Sequence, residues 1–333
     1  MSFRSLYAFG FVVLVMGAVP CVVAAPAEGE VRPWLVRIHE AAGHSNFQGT
    51  FVVSGGGSVS SARIAHYCDG RNQYERIESL DGPARQVFRH NDRVHTFWPA
   101  SRVALIEQRD MLTAFPALLQ AGDDLIHDFY SVQLQGAERI AGREADVLWV
   151  RPRDAHRYGY RLWADKASGL LLRSDVLGER MEVLETAAFS DVVIGVRPQF
   201  DSVLLPMRRL EGFRVVRPSM TATQLEAEGW SLRSAVPGFR QVSCVRRPIE
   251  GTELPTVGGV SREVLQSIYS DGLTHVSVFI EPFSAELHAK PLLTAVGATQ
   301  TLMTRHGEWW VTVVGDVPAA TLRAFAHALQ RTR

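Results

Sequence analysis

The spacing of apolar positions changes several times along the chain. In Val31–Gly43 the residues Trp34, Leu35, Ile38, Ala41 and Ala42 fall on one helical face, with Pro33 in the first turn and Gly43 at the end. This spacing predicts an amphipathic helix. From Phe47 the pattern changes to short runs: Phe51–Val53, Arg63–Tyr67, Gln73–Ile77, Arg85–Phe88, Val94–Trp98 and Val103–Ile106. Turn residues separate them, SGGGS at Ser54–Ser58 among them, so a meandering antiparallel sheet is expected. Met111–Tyr130 interrupts the series with Leu112, Phe115, Leu118, Leu119, Leu125, Ile126 and Phe129, broken by Pro116 and Gly122. It reads as two short helices or as a helix and a loop. Strands resume at Ser131–Gln135, Ala145–Val150, Tyr158–Trp163, Leu170–Val176 and Met181–Phe189. The run Arg157–Asp175, RYGYRLWADKASGLLLRSD, carries two of these around the turn Asp165–Gly169 and predicts a hairpin with an apolar face.

Val196–Pro218 holds Pro198, Pro206 and Pro218, many arginines and little periodicity, so the domain linker is expected there. Met220–Gly229 reads as a helical turn. Phe239–Arg246, Val264–Ser270, His275–Ile280, Thr299–Thr304 and Trp309–Val314 predict a second, smaller sheet, and Pro318–Gln330 a closing helix with the stripe Leu322, Phe325, Ala326 and Leu329. The plan is α+β. Its parts are residues 28–200, a linker over 201–225 and a second domain over 226–333.

The first 27 residues change the picture by adding an address. Arg4 gives a positive start, Leu6 to Val19 an apolar core and Ala25-Pro26-Ala27 a cleavage pattern, which together read as a signal peptide over 1–27. A retained anchor is the rival reading, since the apolar stretch approaches spanning length. Cleavage implies export into an oxidising compartment. There Cys68 and Cys244 are either buried free thiols or an interdomain disulfide. Formal net charge is zero and gives no reason to expect nucleic acid as a partner. The basic residues are nearly all arginine, with Lys166 and Lys290 the only lysines.

No nucleophile elbow, phosphate loop or dinucleotide fingerprint is present, so no catalytic residue and no cofactor are expected. His66 with Cys68, or His90 with His95, could contribute to a metal site, but neither has a second pair at zinc-like spacing. Satisfied structural histidines are the plainer reading, and no metal is assigned. What remains is binding chemistry. Trp34, Leu35, Phe97, Trp98, Phe115, Leu118, Leu119, Phe129, Trp149, Trp163 and Leu171 are candidates for an apolar face that holds an acyl ligand. An ordinary core is the alternative for each. Met111–Tyr130 could cover the mouth of such a cavity as a lid. Arg157 and Arg161, and Arg208, Arg209, Arg214 and Arg217 near the linker, are candidates for gripping a phosphate or a partner. A solvated basic face is their bland reading.

Several segments resemble the MucB/RseB family of periplasmic sigma-factor regulatory proteins: Tyr74–Val94, Arg139–Tyr160, the hairpin Arg157–Asp175, Val183–Gly195, Leu254–Gly259, Tyr269–Pro282 (YSDGLTHVSVFIEP) and Val311–Pro318. None encodes a reaction. The resemblance implies a large antiparallel half-barrel like that of lipoprotein carriers, followed by a smaller mixed α/β domain. It also implies a periplasmic protein that binds the periplasmic domain of a membrane-bound anti-sigma factor (RseA/MucA type), shields it from proteolysis and is released by acylated lipid such as lipid A. A homodimer stays open. A lipid or lipoprotein carrier using the same half-barrel is the competing expectation, and a periplasmic hydrolase is a third that the missing constellation disfavours.

Overall fold

The structure is a computed structural model that describes residues 31–108, 126–248, 263–288 and 290–332. Helix α1 (Val31–His44) leads into β1 (Phe47–Gly55), β2 (Ser58–Cys68), β3 (Gln73–Ser79), β4 (Gln86–His90), β5 (Arg93–Trp98) and β6 (Val103–Gln108). A short helix α2 (Ile126–Phe129) precedes β7 (Tyr130–Ile140), β8 (Arg143–Pro152), β9 (Gly159–Asp165), β10 (Leu171–Leu177) and β11 (Val183–Ile194). Then come α3 (Asp201–Arg208) and β12 (Arg214–Val216). The sequence-predicted strands up to Phe189 all lie within or overlap these elements. Gly56 and Gly57, both at positive φ, make the two-residue turn between β1 and β2 that the SGGGS run announces.

These strands form one sheet in the order β12-β6-β5-β4-β3-β2-β1-β11-β10-β9-β8-β7. Only the β12–β6 pairing is parallel. The end strands β12 and β7 are not bonded to one another, so the sheet is open. Twelve twisted strands do not stay flat, and the expected large antiparallel half-barrel is present. On one face α1 and α2 cover Leu148, Val150, Tyr160, Leu162 and Ala164. Over β2 to β6, a separate cluster of Tyr67, Tyr74, Phe88 and Phe97 packs against Val203 and Met207 of α3.

That last cluster corrects the expected linker. Residues 201–216 belong to the first domain: α3 buries Val203 completely, and β12 extends the first sheet beside β6. Pro206 sits inside α3, and its helix is only eight residues long. So short an element has too few turns to display a periodic stripe. Met220–Gly229 also differs from its reading. Thr221–Ala222 pairs as β13, followed by turns.

The second domain adds β14 (Trp230–Leu232), β15 (Arg240–Pro248), β16 (Glu263–Ser270), β17 (His275–Pro282), β18 (Leu292–Val296), β19 (Thr299–His306), β20 (Trp309–Gly315), α4 (Ala319–Ala328) and β21 (Leu329–Arg331). Its seven-stranded sheet runs β13-β15-β16-β17-β20-β19-β18, antiparallel throughout. The apolar side of α4 closes it, placing Leu322 and Phe325 against Phe239, Tyr269, Val276 and Val311.

If 201–216 is part of the first domain, a charge at Val203 has no partner and no water. Val203→Asp is expected to lower stability by about 3 kcal/mol or more. Denaturant unfolding measures this, and an unchanged midpoint would return the segment to the status of a linker.

Candidate functional site

The site that organises both domains is their junction. The loop between β16 and β17, Asp271–Thr274, leaves the second sheet and enters the first domain. Leu273 is 4% exposed and belongs to the cluster of Leu35, Ile38, Leu148 and Tyr160 under α1. Asp271 is buried with it. Its Oδ1 accepts the backbone N–H groups of Leu273 (2.9 Å) and Thr274 (2.8 Å). Its Oδ2 accepts the Tyr130 hydroxyl (2.8 Å) and Arg157 Nε (2.9 Å). The carboxylate is thereby filled from both domains.

Arg157 is buried as well and is partnered at each guanidinium nitrogen. Besides Asp271, it donates from Nη1 to Asp154 and from Nη2 to the Pro237 carbonyl at 2.7 Å. Its guanidinium lies over Phe129 (4.5 Å to the ring centroid) and Phe239 (5.2 Å), one ring from each domain. Gly238 is required here. It has φ +79°, and a Cβ on it would meet Arg157 Nη2 at 2.6 Å and the Phe129 ring at 2.9 Å. Burial, with the nearby Asp271 charge, raises the Tyr130 hydroxyl well above the ordinary tyrosine value, so it stays a donor. Around this centre Thr321 Oγ1 donates to the His156 carbonyl (2.8 Å), and Gln300 Nε2 to the Tyr158 hydroxyl (3.3 Å). The turn at Gly297 packs on Gly55 and Glu185. Burial raises the Glu185 carboxyl, Asp316 adds to the rise, and the Ala298 N–H opposes it.

The residues singled out in the sequence fall in several places. Arg157 is not available to grip a phosphate, because every nitrogen of its guanidinium already has a partner. Its burial came from pairing with Asp271, more than a hundred residues downstream, which no local pattern signals. Arg161 is half-buried, 5.9 Å from the Trp163 ring, and Arg208, Arg209, Arg214 and Arg217 are exposed. Burial depresses the His95 imidazole, and the charges of Arg93 and then Arg217 add to it.

The eleven apolar candidates do not make one face. Leu35 and Leu171 are in the cluster under α1, with Trp34 and Phe129 packed at its border. Trp149 and Trp163 alternate with Leu148 and Leu162 along β8 and β9, so they stand on the opposite side of the sheet. There Arg151 stacks on Trp149 at 3.6 Å and Arg173 on Trp163 at 4.5 Å, while Trp163 Nε1 donates to Glu138 at 2.9 Å. Phe97 is buried beneath the α3 region against Phe213, and its neighbour Trp98 points to the other face. Phe115, Leu118 and Leu119, with the rest of the expected lid up to Leu125, lie outside the described residues. Cys68 and Cys244 are both free thiols, so the interdomain disulfide is not formed. His66 stacks on Phe47 and His90 on Tyr74, and among the described residues no three metal-ligating side chains converge.

Two outcomes follow from the junction. Removing one partner of a buried ion pair strands the other, so Arg157→Ala is expected to cost about 3–5 kcal/mol. Unfolding followed by tryptophan emission should then separate into two domain transitions, and a single unshifted transition would show that the domains do not depend on this pair. The second concerns Glu185. A carboxyl whose folded pKa is raised stabilises the fold while protonated, and that contribution disappears as pH rises through the folded value. Stability relative to Glu185→Gln should therefore decline as pH climbs above 4.5, the ordinary value. Thermal melts of both proteins across that window test this; parallel curves would exclude it.

Comparison with known proteins gives this architecture a place. A family model described as the MucB/RseB N-terminal domain matches residues 30–208, and one described as the MucB/RseB C-terminal domain matches residues 224–330. The chain is 31% identical over 321 residues to the sigma factor AlgU regulatory protein MucB of Pseudomonas aeruginosa, covering 95% of this chain and 96% of that protein. It is 26% identical over 313 residues to the sigma-E factor regulatory protein RseB of Escherichia coli (strain K12), covering 92% of each. The crystal structure of MucB in complex with MucA(peri) matches with a TM-score of 0.66 at 28% identity, covering 90% of this chain and 98% of that one. Both domains and their order are shared, and the chain belongs to the MucB/RseB family.

Proposed function

We propose that this chain is a periplasmic regulator of a sigma-E or AlgU-type factor, acting by binding the periplasmic domain of a membrane-bound anti-sigma factor. The observation that carries this is the match, through both domains, to a MucB structure solved with MucA(peri) bound. Family membership points to a regulatory protein rather than an enzyme. The signal-peptide pattern at residues 1–27 supports a periplasmic location. In this reading the bound segment is shielded from the protease that would cut it, because an ordered segment lying on a folded surface cannot enter a protease cleft. The junction supports it physically. With Arg157 and Asp271 locked, a surface spanning both domains is already formed and need not be ordered on binding.

Lipid control is the finer part of the proposal. The acyl chains would take the face that α1 and α2 cover, where Trp34, Leu35, Phe129 and Leu171 lie, by displacing α1 or Leu273, which fill it in this structure. Each methylene buried is worth about 0.8 kcal/mol, so affinity should rise with chain length. A plain lipid or lipoprotein carrier is the second reading, favoured by the same face. It leaves the second domain and its buried ion pair without a purpose.

Calorimetry with the periplasmic domain of the anti-sigma factor tests the main reading. Saturable binding, and slower cleavage of that domain when the complex is formed, are the expected results. Absence of binding, together with tight binding of acylated ligands, would make the carrier the better description.

A further inference from the structure

We propose that the outer edge of the second sheet, together with the basic groove beside it, docks an extended, acidic segment of a partner protein. The edge is β18, Leu292–Val296, which among the described residues pairs with β19 alone. It has no charged residue, no proline within it and no register shift. Leu292 is 52% and Val296 65% exposed. Edge strands ordinarily carry charges, prolines or bulges that stop another strand from adding. Lys290 and Pro291 stand just before Leu292, but Leu292–Val296 itself has none of these, so the unpaired N–H and C=O groups of these five residues remain a template for strand addition. Beyond β18, strand β19 continues through Thr304–His306, prolonging the edge.

Next to this edge lies a groove of about 460 Å³ between β19 and α4. Leu302, Thr304 and Ala326 line it with Arg305, His306, Arg323 and His327, and no acidic residue among the described ones does. Arg305 is partly neutralised by Glu308. Arg323 and His327 stand one helical turn apart on α4, both exposed, with no carboxylate partner among the described residues. By register, Leu293 faces the same side as Leu302 and Ala295 the same side as Gln300. A strand added to β18 would set alternate side chains on the face of Leu293 and Ala295, which is the face that carries the groove. Carboxylates at those positions would face the basic side chains of the groove, where Arg323 has no carboxylate partner among the described residues.

Charge decides the occupant. A second copy pairing edge to edge with β18 would continue the sheet and set its own basic groove on the same face, which opposes self-association. An acidic segment is complementary there. The far end of β18 turns at Gly297 against Gly55 and Glu185, so a strand running along it arrives at the first domain. The inference rests on the regulatory reading only for the identity of the natural partner.

The test uses the whole chain and two labelled peptides, one alternating valine with glutamate and one alternating valine with lysine. Binding of the glutamate peptide alone is expected. Arg323→Glu should weaken it about tenfold or more, and Arg323→Lys should retain most of it. Amide exchange should slow in β18. Equal binding of both peptides, no binding of either, an unaffected Arg323→Glu variant, or protection elsewhere overturns the site. The anti-sigma periplasmic domain is then titrated into the wild type and the charge-reversed variant. If both bind it equally, this docking site fails and the regulatory reading stands. If the wild type does not bind it, that reading fails, and the peptide titrations still judge the groove.

Discussion

Asp271 is the constraint on which the arrangement of the two domains depends. Its carboxylate is buried, and a buried charge is tolerated only when its lone pairs are filled. Two backbone N–H groups of its own loop fill one oxygen, and Tyr130 and Arg157 of the first domain fill the other. The loop cannot keep its shape without Asp271, and Asp271 cannot remain buried without the first domain. Leu273, two residues on, sits in the first domain's core. The second domain thus supplies part of the first domain's interior.

This changes how movement between domains should be pictured. Prolines 198, 206 and 218 suggest a connection free to swing. Instead α3 and β12 are packed into the first domain. Reorientation would have to break the Arg157–Asp271 pair and withdraw Leu273. Any ligand that shifts the domains must bind the open state more tightly by at least that amount. The Arg157–Asp271 centre is therefore where a lipid signal would have to act if it works by separating the domains. Glu185, with its carboxyl raised by burial and by Asp316, makes the margin of the same junction sensitive to protons.

The first sheet shows the limit of reading composition as a surface. The eleven apolar candidates do not share one face, because the pleat sends neighbours to opposite sides. Trp163 is buried in a further apolar cluster with Val147, Leu170 and Phe189, with Arg173 over its ring, while Arg151 stacks on Trp149. Leu35 and Leu171, on the other side, joined the interior under α1. The second sheet offers the opposite lesson. β18 is too short and too plain to give a strand signal in the sequence, and its plainness is what leaves the edge open.

Local order was legible in the sequence wherever one residue's neighbours decide its conformation. The period of Val31–Gly43, the paired glycines of the first hairpin, the alternating strands and the stripe of α4 are of this kind, and the structure has them. The two segments most telling in the sequence, Arg157–Asp175 and Tyr269–Pro282, carry the two halves of the junction. Their contact was not legible, because Arg157 and Asp271 lie far apart in the chain and each alone looks like an ordinary surface charge. Which face a tryptophan takes, whether a proline-rich run is a linker or a short helix under a sheet, and which arginine keeps a free guanidinium were likewise decided only by packing. Those outcomes depend on strand register and on partners brought in from a distance, and local spacing carries no record of either.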